Sequence, residues 1–420
     1  MEKSRELIKG KISFVSISLV VNAVIMARTM FFMRFLDSYD LGVLIIIQSL
    51  IAFLPLTQLG LINGGLRILS IDSYADTHRK ANNTIFTYIL LIYILLLLAS
   101  GILSKVVMSP MHIVSIAVTA GALSLLKNWQ RNILVARRRL RILNVVEIIS
   151  TTVSAVIGIF VIRYGVRAAI ASIFAQYGVS VFIFYIFVPS FRISQLTIHK
   201  KVFMEALSFG FIPYLTGLSM LLYQQVDKFL IARYLSVETL GSLYLAYAFI
   251  RLFEMLPTSI SPLFESSAFN QYFSGDVKGS IKQISRYTVI LGLYCLMVIF
   301  ALLFIGEAVV RMIVPDKIDQ LRYVFLLLPG VVASTMSKGF TFALNVAYNL
   351  RVILYVQVFS VCAYLAFILV MIHSESLSLI VVSVGKAAEG LLVYFLFLVA
   401  VVLNVSRIKN RYYLKKAGKI

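Results

Sequence analysis

QQVDKFLIARYLSVETLG, residues 224–241, decides the fold. Asp227 and Lys228 stand deep in an apolar run. A short polar turn follows Arg233-Tyr-Leu, and Leu240-Gly241 opens the next apolar run. A related stretch lies 199 residues earlier, where Arg34-Phe-Leu-Asp-Ser-Tyr-Asp-Leu-Gly42 aligns with Arg233-Tyr-Leu-Ser-Val-Glu-Thr-Leu-Gly241 at four identities in nine. Both copies are short, polar and acidic in the middle, between long apolar runs. At the same offset Arg28 falls on Asp227, so equivalent positions of two related helices carry opposite charges. The pattern predicts two similar halves, 1–195 and 196–420, divided at the polar link Arg192–Lys201 and meeting at a pseudo-symmetric centre that carries charge.

Composition gives the class. Of 420 residues, 60% are hydrophobic and only 14% charged, against about 25% charged in soluble domains; mean hydropathy is +0.94. A bilayer crossing needs about 20 apolar residues, and twelve runs of that kind occur, from 12–34 to 377–403. Alternating segments of about ten residues, the mark of a membrane β-barrel, are not seen. The expected fold is an all-α polytopic membrane protein with about 12 transmembrane helices in two pseudo-symmetric six-helix bundles. Net charge is +21, and the positive-inside rule accounts for it better than nucleic-acid binding does. With the N-terminus inside, inner segments hold 26 of the 39 Lys and Arg, and outer segments hold eight. Both termini are therefore expected in the cytoplasm. The cluster Arg137-Arg138-Arg139-Leu-Arg141 reads as a topology signal in contact with anionic lipid. The small residues Gly60, Gly64 and Gly65 suit close helix packing. Trp129, at an inner helix end, reads as an interfacial anchor, and Cys295 and Cys362 as small core residues.

The polar residues inside the runs carry the functional reading. Ionisable groups in a bilayer cost about 2.5–3.5 kcal/mol each on insertion scales, so they face a bundle interior or a watery cavity. Five are basic (Arg28, Lys228, Arg251, Lys338, Lys386) and four acidic (Glu147, Asp227, Glu254, Glu389). Tyr244, Tyr247, Arg251 and Glu254 share one helical face, ahead of Pro257 and Pro262, which are expected to interrupt the inner end. Ser334, Lys338, Thr341 and Asn345 share another face. Local neutralisation is open for Arg251 with Glu254 and for Lys386 with Glu389. Glu147 reads as interfacial, and Lys228 as reaching outward. The alternative is a cationic cavity. There Arg28, Arg251, Lys338 and Lys386 attract an anionic headgroup, with Arg bidentate to phosphate oxygens. Tyr244 and Tyr247 either bind sugar hydroxyls or belong to an aromatic belt.

Motifs of chemistry are missing. There is no GxxxxGK[ST], no G-x-S-x-G and no H-E-x-x-H. The four histidines are far apart and show no metal-ligand spacing. No cofactor is expected, and a pure enzyme is disfavoured.

Leu36 to Gly42, Leu59-Gly60-Leu61, Val226-Asp227-Lys228-Phe-Leu-Ile-Ala-Arg-Tyr-Leu and Leu240-Gly241-Ser-Leu-Tyr244 carry a resemblance to a known group. They look like Wzx-type O-antigen flippases, in the polysaccharide branch of the multidrug/oligosaccharidyl-lipid/polysaccharide (MOP) flippase superfamily. The resemblance implies two six-helix bundles around a central cavity and alternating access. It implies a polyprenyl-diphosphate-linked oligosaccharide as substrate, moved across the bacterial plasma membrane for O-antigen, lipopolysaccharide or other surface glycan. Membrane lipid and a polysaccharide polymerase are the further partners it suggests; nucleic acid is not one. It also implies cationic cavity residues, which Arg28, Arg251, Lys338 and Lys386 fit by type. Two rivals stay open. One is a small-molecule or drug antiporter of the same superfamily. The other is a membrane glycan polymerase or ligase, against which the short outer loops argue.

Overall fold

The computed structural model describes residues 2–71, 75–107, 110–136, 139–188, 193, 195–346 and 349–416. Arg137 and Arg138 of the basic cluster, and Arg192 in the mid-chain link, lie outside the described residues.

Among the described residues there are helices and no strand. They are α1 (Glu2–Phe35), α2 (Ser38–Phe53), α3 (Leu61–Ile71), α4 (Ala75–Leu98), α5 (Ser100–Val107), α6 (Met111–Ala136), α7 (Leu140–Ile159), α8 (Val161–Tyr164), α9 (Val166–Phe187), α10 (Lys200–Tyr234), α11 (Val237–Gly241), α12 (Tyr244–Phe273), α13 (Val277–Ala301), α14 (Glu307–Ile313), α15 (Leu321–Val346), α16 (Leu350–His373) and α17 (Leu379–Lys416). Among the described residues, twelve helical segments are long and apolar enough to cross a membrane, as the sequence predicts. Helix is the outcome because hydrocarbon offers no partner for backbone N–H and C=O groups, so each span must satisfy them internally.

The boundaries differ from the apolar runs where backbone chemistry intervenes. The expected run 41–66 divides. A 3₁₀ turn at Leu54–Gln58 with Pro at its start ends α2, and Leu59 (φ 52°) and Gly60 (φ 91°) then take left-handed conformations before α3 begins. Conversely, α12 runs from Tyr244 to Phe273 without interruption at Pro257 or Pro262, which corrects the expected break. Transmembrane helices tolerate proline where neighbouring groups take up the freed carbonyls. The run 287–306 continues past Ala301 through a π-turn at Leu302–Gly306 into α14.

Packing separates the chain into two compact units, Met1–Ser242 and Leu243–Ile420. The division expected from the repeat, at 195/196, falls inside the first unit. The reason for the grouping is local. Gly60 and Gly64 bring their backbone against Gly210 and Ala206 of α10, so close that a Cβ on any of the three glycines would overlap a backbone carbonyl of the facing segment. Small residues let membrane helices approach closely, and dispersion and packing then hold them without a hydrophobic driving force. These contacts carry α10 with the first unit; the two halves of the sequence repeat stay a separate proposal.

The repeat itself meets in space within that unit. A Cβ on Gly42 would overlap the Val237 carbonyl, and a Cβ on Gly241 would overlap the Ser38 carbonyl. Gly42 and Gly241 are equivalent at the 199-residue offset, and so are Ser38 and Val237. The start of α2 and α11 therefore pack reciprocally, each glycine on the first helical residue of the other copy. The two helix starts are built alike: Asp37 caps α2 by accepting from the Asp40 N–H at 2.8 Å, and Ser236 caps α11 by accepting from the Thr239 N–H at 2.9 Å.

The core of the first unit surrounds Trp129, which is 1% exposed among Leu61, Ile85, Leu125, Leu134 and Phe184. Its indole N–H donates to Asn82 Oδ1 at 2.9 Å, and Gly65 leaves the space for its ring. Trp129 is thus a core residue with a buried partner, and the interfacial reading is corrected. Cys295 is buried and Cys362 exposed, and neither is in a disulfide.

Candidate functional site

Arg28 lies on α1 and reaches across to α7 and α9. Its Nη1 donates to Ser154 Oγ, to Ser172 Oγ at 3.3 Å and to Gln176 Oε1 at 3.1 Å. The guanidinium carbon stands 5.7 Å from the centroid of the Phe32 ring, a cation–π distance. Gly158 gives its stem room, since a Cβ there would come within 3.3 Å of Arg28 Cγ. Ser154 and Ser172 are themselves locked together: each hydroxyl donates to the other's backbone carbonyl at 2.7 Å. Three neutral acceptors on two clasped helices thus hold a cation in the body of the first unit.

Asp227, on α10, is 2% exposed. Beside it, Gln225 Oε1 accepts from Ser49 Oγ at 3.0 Å and from Lys228 Nζ at 2.7 Å. Lys228 bonds back along its own helix to Gln225, in place of the outward reach expected. Arg28 and Asp227 both belong to the first unit.

A buried pair that the sequence reading missed lies nearby. Lys127 Nζ of α6 meets Glu147 Oε2 of α7 at 2.9 Å, their side chains 11% and 22% exposed. The ammonium is 5.9 Å from the Tyr177 ring centroid. Glu147 is therefore partnered by a lysine of the neighbouring helix. Asn144, Glu147, Thr151 and Ser154 follow each other at i, i+3, i+7 and i+10 on α7, one helical face. That spacing was available in the sequence. Lys127 stands one turn before Arg131 and falls among the inner-segment charges that the positive-inside rule explains.

In the second unit the expected site residues sit on α12, α15 and α17. Glu254 of α12 and Lys338 of α15 approach to 3.8 Å, both partly exposed. Lys386 and Glu389 of α17 pair at 2.8 Å with side chains 14% and 1% exposed, so the local neutralisation weighed from the sequence is present. The Lys386 ammonium also lies 5.1 Å from the Tyr364 ring centroid, on α16. Tyr244 is buried, Tyr247 half-buried and Arg251 exposed, all on α12. Close packing of α15 on α17 brings the lysines' helices together: Gly330 lies directly against Ala387 and Gly390. Among the described residues no three His, Cys, Asp or Glu converge as metal ligands.

Similar folds occur among solved membrane transporters. A multidrug resistance MATE family transporter of the MOP superfamily, inward-facing, superposes with a TM-score of 0.75 at 13% identity over 95% of this chain and 99% of that one. The lipid II flippase MurJ in an inward closed conformation gives 0.74 at 12%, over 96% and 91%. A MOP superfamily transporter from Pyrococcus furiosus gives 0.59 at 14%, over 96% of both. The fold is that of the MOP superfamily of membrane transporters. Residues 31–323 match the family described as polysaccharide biosynthesis protein, and the chain belongs to that family. A comparison with curated protein sequences gives no match.

Proposed function

We propose that this protein is a flippase that moves polyprenyl-diphosphate-linked oligosaccharide across the bacterial plasma membrane by alternating access, supplying a polysaccharide polymerase that builds O-antigen or another surface glycan. The observation that carries the reading is the presence of cations within candidate membrane-spanning helices of a polysaccharide biosynthesis family member with this fold. Arg28 is held by neutral acceptors, and Lys338 and Lys386 stand on helices packed together. A diphosphate crossing hydrocarbon needs such charges, because an unpaired anion there is prohibitively costly. Arg28, Asp227, Arg251, Lys338 and Lys386 are the proposed substrate-binding residues, with Tyr244, Tyr247 and Glu254 contacting the sugar portion. Both termini are proposed to be cytoplasmic.

The test is export of surface glycan in cells lacking the endogenous gene. Arg251→Ala and Lys338→Ala should abolish surface glycan while the protein inserts normally, with lipid-linked oligosaccharide accumulating on the inner leaflet. Arg251→Lys should be partly defective, because a point ammonium cannot make the bidentate contact. Normal glycan in both alanine variants would refute the anion-site reading. The likeness to multidrug transporters favours one rival, a cation or drug antiporter. Energised efflux of cationic dyes, with glycan export unaffected by loss of the protein, would establish that rival.

A further inference from the structure

Because Pro262 does not break α12, the helix carries a further acid past it. Glu265 lies three residues beyond Pro262, inside the candidate span Val237–Phe269. Its Oε1 accepts from Ser261 Oγ at 2.7 Å. The Tyr287 hydroxyl, on α13, interacts with the same Ser261 side chain and with the Glu265 carboxylate. Tyr287 is 2% exposed. Its ring packs on Phe264 of α12 and Phe342 of α15, with centroids 5.6 and 5.2 Å away. Aromatic packing thus holds the phenol against the carboxylate.

Among the described residues no Lys, Arg or His pairs with Glu265. Lys282 and Arg286 of α13 are exposed. Lys338, one turn before Phe342 on α15, meets Glu254 at 3.8 Å. A carboxylate within a candidate spanning helix needs a counter-charge, and what surrounds this one is oxygen. Pro262 adds to that set. It has no N–H, so the Thr258 carbonyl loses its helical donor. Thr258, Pro262 and Glu265 fall at i, i+4 and i+7, on one helical face. Long helical side chains lean toward the helix N-terminus, so Glu265 leans toward the freed carbonyl. A carboxylate, two hydroxyls and a main-chain carbonyl are hard oxygen ligands with no nitrogen or sulfur among them, the kind that hold hard cations. The single negative charge matches a monovalent ion.

We propose that Glu265, Ser261, Tyr287 and the Thr258 carbonyl form a sodium site between α12 and α13 of the second unit. Bound Na+ neutralises Glu265 and ties the two helices together beside Pro262. The site stands apart from the flippase reading and adds an inorganic ion to it.

The experiment uses the full chain purified in detergent at fixed pH. Sodium chloride is titrated against choline chloride, whose cation is too large for the site, at constant ionic strength, and thermal unfolding is followed. Wild type should melt several degrees higher in sodium, and the rise should saturate. Glu265→Gln keeps the size of the side chain and removes its charge. It should lose the sodium response and melt in choline no lower than wild type. Tyr287→Phe keeps the packing on Phe264 and Phe342 and removes one ligand. It should need about tenfold more sodium for the same shift, the equivalent of one charge-assisted contact. If Glu265→Gln fails to accumulate, Tyr287→Phe decides alone. Equal melting of wild type in sodium and choline, or an unchanged sodium response in the variants that accumulate, overturns the inference and leaves the flippase reading standing. Melting that follows pH through Glu265 and ignores sodium overturns it as well, because the carboxyl would then be held as the neutral acid.

Discussion

Glu147→Leu, paired with Lys127→Met, tests how the first unit carries charge through hydrocarbon. The two groups are 2.9 Å apart and mostly buried. At an effective dielectric near 20, their attraction is about 6 kcal/mol. Desolvation opposes it by several kcal/mol per ion, so the net contribution of the pair is small. Removing one partner is a different matter, because it strands the other: the expected loss is about 3–5 kcal/mol for either single change. Removing both, as Lys127→Met with Glu147→Leu, should be neutral or stabilising, since well-packed apolar groups replace the pair. The assay is thermal unfolding in detergent, followed by the fraction of tagged protein that stays monodisperse on size exclusion, for the two singles and the double. Each single should melt several degrees lower, and the double should return to wild type or above. If the singles melt with wild type, or the double falls by the sum of the singles, the two charges are not coupled and the reasoning fails.

Three further outcomes are expected. Arg28→Asp and Asp227→Arg should each impair export. If the two form an outer lock, the double exchange should recover activity. If Arg28 also binds phosphate, it should recover abundance without export. No improvement over the worse single in either respect would show that they are uncoupled. Gly42→Val and Gly241→Val should each cost abundance to a similar degree, because each side chain would meet the other copy's backbone; a tolerated valine at either site would refute the close contact. A reporter after Lys201 should be cytoplasmic and one in the segment Glu307–Gln320 periplasmic, and opposite results would invert the orientation.

Most of the architecture was legible because membrane depth imposes a single solution. Twelve apolar runs of sufficient length become twelve spans, since nothing but internally bonded helix survives in hydrocarbon. The helix breaks were less legible. Pro55 ends α2 while Pro257 leaves α12 continuous, and the difference lies in whether left-handed residues follow, as Leu59-Gly60 do after Pro55. The charge list found Arg28, Lys338 and Lys386, and Glu389 was legible beside Lys386, yet the groups that meet Arg28 and Lys338 were not. Ser154, Ser172 and Gln176 are common residues whose meaning appears only when α7 and α9 cross, and Glu254 meets Lys338 across helices 84 positions apart in sequence. Trp129 misled because indoles at helix ends usually mark the membrane surface, and only Asn82 and Gly65, distant in sequence, give this one a buried place.

The reciprocal seat of Gly42 on Val237 and of Gly241 on Ser38 also fixes a schedule. During synthesis α2 enters the bilayer while its counterpart is still 199 codons away, a wait of about 10–40 s at ordinary elongation rates of roughly 5–20 residues per second. Through that interval the glycine notch of α2 stands open to lipid or to whichever chaperone guards nascent spans. The same holds for the notch at Gly60 and Gly64 until Gly210 emerges. Assembly of the first unit is therefore gated by translation of the chain beyond its midpoint. Slow codons or a stall placed between the mid-chain link and residue 241 should prolong exposure of these notches and send more of the nascent protein to membrane quality control, with no change to a single amino acid.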